Sequence, residues 1–399
     1  MARRRLRGKQ DLFGKNELIA DAHAASQVDV DYDLDSEALD ALLDAMRAAL
    51  DEMNLLGGRR AHRMMGDVLV KQLRLAHFLQ NEPGVADTPI ERPIFLVGPP
   101  RSGTTFLHRL LAQDPAHRTP RLWEVMQPPP PTPALRGDPA YFDNDYRVPI
   151  ARKFLEARAR FSPRMASIHS TDVNAPEECF GLLETTLHSH SFLFCAPVFD
   201  YIDWLDTRSD AAWLRVYAQY ADQLRLLQWW HPGERWVLKS PFHMWAVDAL
   251  CATFPDAVIV QQHRDPLACV ASFCSLTETA FATITTGISR ERIGRLSLRY
   301  LRDALRRNVD ARNALPSDRF IDIPYTDLVK DPLAAVHRVY AAAGLEPSDT
   351  AQARIEGWLT EQAKSRDGTR HDYDLTDFGL SKDEILDAFA PYMAFAENR

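Results

Sequence analysis

The sequence predicts an α/β protein: a P-loop-type, mostly parallel sheet flanked by helices, with a helical N-terminal region and a helical insert. Three observations carry this expectation. Short apolar runs recur along the chain, long helical periodicities separate them, and a glycine-bounded turn follows the first run directly. With 399 residues, 26% charged and 46% hydrophobic, the chain can bury a large core, and disorder and fibrous repeats are set aside.

The first ten residues, MARRRLRGKQ, are basic, but Asp11, Lys15, Glu17, Asp21 and Asp29 stand where an export signal would be apolar. A solvated tail on a cytoplasmic protein is expected, with no transmembrane segment. Leu39, Leu42, Leu43, Met46 and Leu50, then Met65, Leu69, Leu73 and Leu75, recur at helical spacing and define a helical region over residues 1–90. After the turn-rich NEPGVADTP, the run Pro93-Ile-Phe-Leu-Val-Gly98 is too short for a helix and fits a strand buried on both faces. Further strands are expected at Arg235–Lys239, Ala257–His263 and Arg319–Tyr325, with helices at 103–113, 242–253, 266–276, 290–315 and 331–343.

One domain over 1–399 is expected, with an α/β core at 92–345 and a C-terminal helical cap at 346–399. The insert 113–234, which includes Gln127-Pro-Pro-Pro-Pro-Thr-Pro133, exceeds what one crossover needs and is expected to shape an acceptor site. Forty-seven basic against fifty-five acidic residues leave a net charge of −8, which offers no general attraction to nucleic acid or an anionic surface, so any positive site must be local. The five cysteines, Cys179, Cys195, Cys251, Cys269 and Cys274, are odd in number without CxxC spacing and read as reduced thiols. No HExxH-type spacing suggests a metal.

After the first strand the chain reads Gly98-Pro-Pro-Arg-Ser-Gly-Thr-Thr105, then Phe106-Leu-His-Arg-Leu-Leu-Ala112. A loop between strand and helix aims backbone N–H groups and the helix dipole at an anion, and Ser102, Thr104 and Thr105 add hydroxyl donors. A nucleoside triphosphatase would need lysine where Thr104 stands. Here the cation is Arg101, whose guanidinium can hold two oxygens of a phosphate or sulfonate without a metal.

The pattern GxxRSGTTxLxxLL resembles the 5′-phosphosulfate loop of sulfotransferases that use 3′-phosphoadenylyl sulfate (PAPS). Leu238-Lys-Ser-Pro-Phe-His243, the run from Phe254 through His263-Arg-Asp-Pro266 with Ser272 beyond it, and Tyr325-Thr-Asp-Leu-Val-Lys-Asp-Pro332 resemble that family's later signatures in order. The likeness is to bacterial members of the branch that includes the tyrosylprotein sulfotransferases, and the tail HxYxLxxFGL, His371 to Leu380, shares it. The resemblance implies PAPS as cosubstrate, adenosine 3′,5′-bisphosphate as product and no metal. The acceptor would be a hydroxyl or amine of a small molecule, lipid or carbohydrate.

By the same resemblance, Arg101, Ser102, Gly103, Thr104 and Thr105 hold the 5′ end of the donor. Arg264 and Ser272 hold its 3′-phosphate, and Tyr325 contacts the nucleotide. Lys239 is implied near the bridging oxygen, where leaving-group charge develops. An acceptor hydroxyl needs a base. Glu124 ranks first by its position after the loop and Glu178, in a PEE helix start, second, with His169, His188, His190 and His243 as further options. One cation of Lys364-Ser-Arg-Asp-Gly-Thr-Arg370 is expected to close over the donor. The competing readings are a P-loop kinase or nucleotidase and a non-catalytic binder of adenosine 3′,5′-bisphosphate.

Overall fold

The computed structural model describes residues 12–127, 145–168, 171–365 and 374–399. Among the described residues five strands, β1 (Ile94–Val97), β2 (His117–Arg118), β3 (Arg235–Lys239), β4 (Val258–His263) and β5 (Phe320–Pro324), form one sheet in the order β2-β3-β1-β4-β5. Every pairing is parallel, with Phe95 of β1 opposite Leu238 and Ile259. Because successive strand side chains point to opposite faces, Ile94, Leu96, Val237 and Val260 fill one core while Phe95, Val97, Leu238 and Ile259 fill the other. Both faces are apolar because helices cover both, which explains why these strands read as continuous hydrophobic runs.

Four strands fall where the apolar runs place them. The two-residue β2 is too short to leave a periodic signal, and the sequence reading missed it. Expected helix 242–253 begins instead as a 3₁₀ turn, Pro241–Ala246, with Ser240 accepting from the Phe242 N–H at its start, before the α-helix Val247–Thr253. The helix expected at 266–276 runs on to Phe281.

The first helices are α1 (Lys15–Ser26), α2 (Ser36–Ala48) and α3 (Leu55–Asn81). The start of α3 is sewn to the core. Asn54 accepts from the Gly57 N–H and donates from its side-chain amide to the carbonyls of Thr283 and Thr285, while its own backbone N–H reaches Ile284. After β1 come α4 (Thr104–Leu111) and, in the insert, α5 (Leu122–Met126), α6 (Arg147–Phe161) and α7 (Pro163–Ile168). The insert continues through helices Phe180–Thr185, Phe199–Asp206 and Asp210–Trp230. The carboxyl ends of β3, β1 and β4, side by side at the middle of the sheet, form the crevice where open α/β sheets receive ligands.

Among the described residues, no helix is long and apolar enough to cross a membrane, and no group of His, Cys, Asp or Glu is spaced to hold a metal ion. All five cysteines are unpaired, and burial pushes each thiol up, to about 11 or 12.

Candidate active site

From β1 the chain turns through Gly98–Gly103 into α4. Gly98 has φ 153°, and a Cβ there would lie 2.7 Å from the Gln262 carbonyl oxygen, so only glycine lets the loop rest on β4. Gly103, at φ 94°, caps α4. Arg101 adopts φ 70° without being glycine, a conformation held by its surroundings, and its side chain is exposed. Ser102 is fully buried, and among the described residues its Oγ has no hydrogen-bond partner. A buried polar atom left unsatisfied costs about 1–3 kcal/mol. With the amino end of α4 beside it, this hydroxyl fits an anion-receiving loop.

Lys239, the last residue of β3, points toward α4. Its Nζ donates to Thr105 Oγ1 at 3.1 Å and contacts Glu178 Oε1. The lysine is 1% exposed, so its ammonium is stable only with a partner, which the Glu178 carboxylate supplies. Glu178 in turn is held by its backbone neighbours. Pro176 bridges Arg121, the Glu177 N–H reaches the Pro120 carbonyl, and the Cys179 N–H reaches the carbonyl of Lys239 itself at 3.0 Å. Behind the loop, His108 lies 3.1 Å from the Val237 carbonyl. Burial, helped by Lys239, pushes this imidazole down to about 3, so it stays neutral and ties α4 to β3 through its Nε2–H.

Glu124 has a different setting. It is fully buried; Arg118 grips both its oxygens at 2.7 and 3.2 Å, and Oε2 also accepts from the Arg121 N–H at the start of α5. Burial pushes its pKa up, but the Arg118 charge and these hydrogen bonds outweigh that and leave it below the ordinary value. Both oxygens are therefore committed to holding the insert together. His188 sits with Nδ1 3.0 Å from the Thr186 carbonyl. His190 stacks on Trp245 with centroids 3.9 Å apart, and His243 pairs with the Tyr217 hydroxyl at 2.8 Å. Burial lowers all three, His190 and His243 to about 3. His169 and residues 366–373 of the C-terminal basic stretch lie outside the described residues, while Lys364 is on the helix Asp349–Ser365.

On the other side of the loop, Arg264 follows β4. Its guanidinium donates to the Arg101 carbonyl and lies over the Tyr325 ring, 4.2 Å from the centroid. Tyr325 also packs where a Gly103 side chain would be, 3.1 Å from that Cβ position. The structure thus brings together Arg101, Ser102, Gly103, Arg264 and Tyr325, and separately Thr105, Lys239 and Glu178. Ser272 lies further along the helix Pro266–Phe281, half-buried.

The sequence reading missed the polar network behind Arg264. His263 Nε2 meets Asp322 Oδ1 at 2.6 Å, Arg312 clamps both Asp322 oxygens at 2.9 Å, and the Tyr392 hydroxyl accepts from the Arg264 N–H at 3.4 Å. An aspartate inside the apolar run Phe-Ile-Asp-Ile was the one visible signal of it.

Residues 93–349 match the Sulfotransferase family. The crystal structure of sulfotransferase STF1 from Mycobacterium tuberculosis H37Rv is similar, with a TM-score of 0.79, 32% identity, and coverage of 96% of this chain and 100% of that one. Sulfotransferase STF9 from Mycobacterium avium gives a TM-score of 0.83 and 27% identity, covering 96% of this chain and 97% of that one. In sequence, omega-hydroxy-beta-dihydromenaquinone-9 sulfotransferase Stf3 from Mycobacterium bovis is 25% identical over 302 residues, 73% of this chain and 72% of that protein. With the match spanning the sheet, the anion loop and every strand end that frames them, the chain belongs to the sulfotransferase family, enzymes that transfer a sulfonate group.

Proposed function

We propose that this sulfotransferase takes its sulfonate from PAPS and delivers it to a hydroxyl, or an amine, of a small-molecule, lipid or carbohydrate acceptor. A lipid is the favoured class, because a relative is named for acting on a hydroxylated dihydromenaquinone. The observation that carries the donor reading is the buried, unpartnered Ser102 hydroxyl in a glycine-shaped loop, with Lys239 reaching Thr105 beside it. When bound, the donor supplies an activated sulfonate on a phosphate leaving group.

In this reading Arg101, Ser102, Gly103, Thr104 and Thr105 hold the 5′ end of the donor, Arg264 and Ser272 the 3′-phosphate, and Tyr325 the nucleotide. Lys239 neutralises charge on the departing oxygen. Glu178 is the base, ahead of Glu124. Its carboxylate is 18% exposed and joined to Lys239, so one carboxylate–ammonium pair can accept the acceptor's proton and steady the leaving group. Glu124, with both oxygens engaged and no exposure, keeps a structural task. Residues 1–399 act as one unit in the cytoplasm, a setting supported by the five unpaired thiols.

Titration calorimetry tests the donor assignment. Adenosine 3′,5′-bisphosphate should bind without magnesium and more tightly than 5′-AMP. Binding of ATP with magnesium in preference to the bisphosphate would overturn it.

A further inference from the structure

Most of α6 stands away from the core. Only its N-terminal residues Arg147, Val148 and Ala151 are buried. Along its outer side Tyr146, Ile150, Phe154 and Phe161 are all exposed, Phe161 by 68%. At 100° per residue these positions, with Ala157 between them, fall within an arc of about 80°. They form a continuous apolar stripe rather than scattered exposed side chains.

The polar positions next to that stripe are basic. Lys153 and Arg160 flank it on one side and are exposed, with Arg152 beyond them, while Glu156 is the sole acid of the helix. This local positive charge contrasts with a chain whose net charge is −8. An apolar stripe bordered by Lys and Arg is the composition of helices that lie in a membrane interface. Pairing this face with a second copy of the chain would set the same cations against each other, which disfavours a homodimer across it.

We infer that α6 docks the enzyme on an anionic lipid surface, with Ile150, Phe154 and Phe161 entering the acyl boundary while Lys153 and Arg160 meet the headgroup phosphates. The inner side of the helix connects to the catalytic region. Arg147 lies over Trp123 of α5, 4.6 Å from the ring, and Arg158 acts electrostatically on Glu177, the neighbour of Glu178. Docking there would present the base side of the site to the bilayer. The inference rests on the helix alone and stands whether or not the donor reading does.

Co-sedimentation of the full chain with vesicles tests it. Phosphatidylcholine vesicles containing phosphatidylglycerol should bind the protein at least tenfold more strongly than pure phosphatidylcholine, and the difference should shrink with salt. The triple substitution Ile150→Ser, Phe154→Ser, Phe161→Ser should weaken binding about tenfold or more, and Lys153→Glu with Arg160→Glu should abolish the preference for phosphatidylglycerol. These positions are exposed, so circular dichroism and bisphosphate binding should match the parent chain. No binding, equal binding to both vesicles, or unchanged binding of the triple variant would overturn the inference. So would light scattering that shows a dimer lost on Phe154→Ser, which would assign the stripe to a second copy.

Discussion

Lys239 Nζ donates to Thr105 Oγ1 at 3.1 Å, so the end of β3 and the first turn of the anion-loop helix are joined by the buried ammonium placed nearest the proposed chemistry. Its other contact is the Glu178 carboxylate. Ammonium, hydroxyl and carboxylate therefore form one connected unit, and changing any of them should be felt by the others.

Replacing Lys239 by alanine should lower turnover by about 10² to 10³, as for loss of one charge-stabilising donor, while bisphosphate affinity changes much less. Single-turnover kinetics beside calorimetry separates the two. An equal loss in both would assign Lys239 to binding only.

Glu178→Gln and Glu124→Gln should fail in different ways. The first should reduce kcat by about 10² to 10⁴ and, because it takes the counter-charge from the buried Lys239, also lower stability. The second should leave Arg118 buried without its counter-charge and destabilise the protein by about 3–5 kcal/mol in urea unfolding. Normal turnover in Glu178→Gln would remove it as the base.

Acid stability should depend on Glu124. Its pKa is lower in the folded than in the unfolded chain, so its stabilising contribution is complete above the ordinary value of 4.5 and is lost as pH falls through the lowered folded value. Asp322, held down by His263 and Arg312 against the cost of burial, behaves in the same sense. Urea midpoints measured between pH 7 and pH 2 should fall on the acid side, and the fall should be shallower in Glu124→Gln.

Arg264→Ala should weaken adenosine 3′,5′-bisphosphate binding by roughly 10- to 150-fold, the worth of hydrogen bonds to a charged group, and leave 5′-AMP nearly unaffected. Arg264 also donates to the Arg101 carbonyl, so Arg264→Lys should recover only part of the loss. Parallel weakening of both nucleotides would mean that Arg264 shapes the loop without touching the 3′ group.

Transfer should continue unchanged in excess chelator. Its abolition would contradict catalysis by Arg101 and Lys239 alone.

The turn from β1 into α4 was legible because its glycines and its flanking elements are both written in the local sequence. Gly98 and Gly103 are spaced as the turn demands, and the strand and helix on either side announce themselves by apolar pattern. The ends of β3 and β4, where Lys239 and Arg264 stand, were legible from their apolar runs. The settings of the two glutamates were not, because Glu124 and Glu178 differ in what surrounds them rather than in their local sequence. Arg118, which occupies Glu124, sits on a two-residue strand without a pattern. The staple that positions Glu178 joins residues 120–121, 176–179 and 239, and the supports behind Arg264 come from Arg312, Asp322 and Tyr392. Such long-range pairings have no spacing to read.

The three hydrogen bonds by which Asn54 grips the segment 283–285 bear on how this enzyme can be shortened. That segment closes the long helix that begins just after Arg264, so a chain starting at residue 91 would lose the clasp on the helix carrying Ser272. Trimming to the family-matched span should give insoluble or nucleotide-blind material, whereas removing only residues 1–11 leaves the clasp in place.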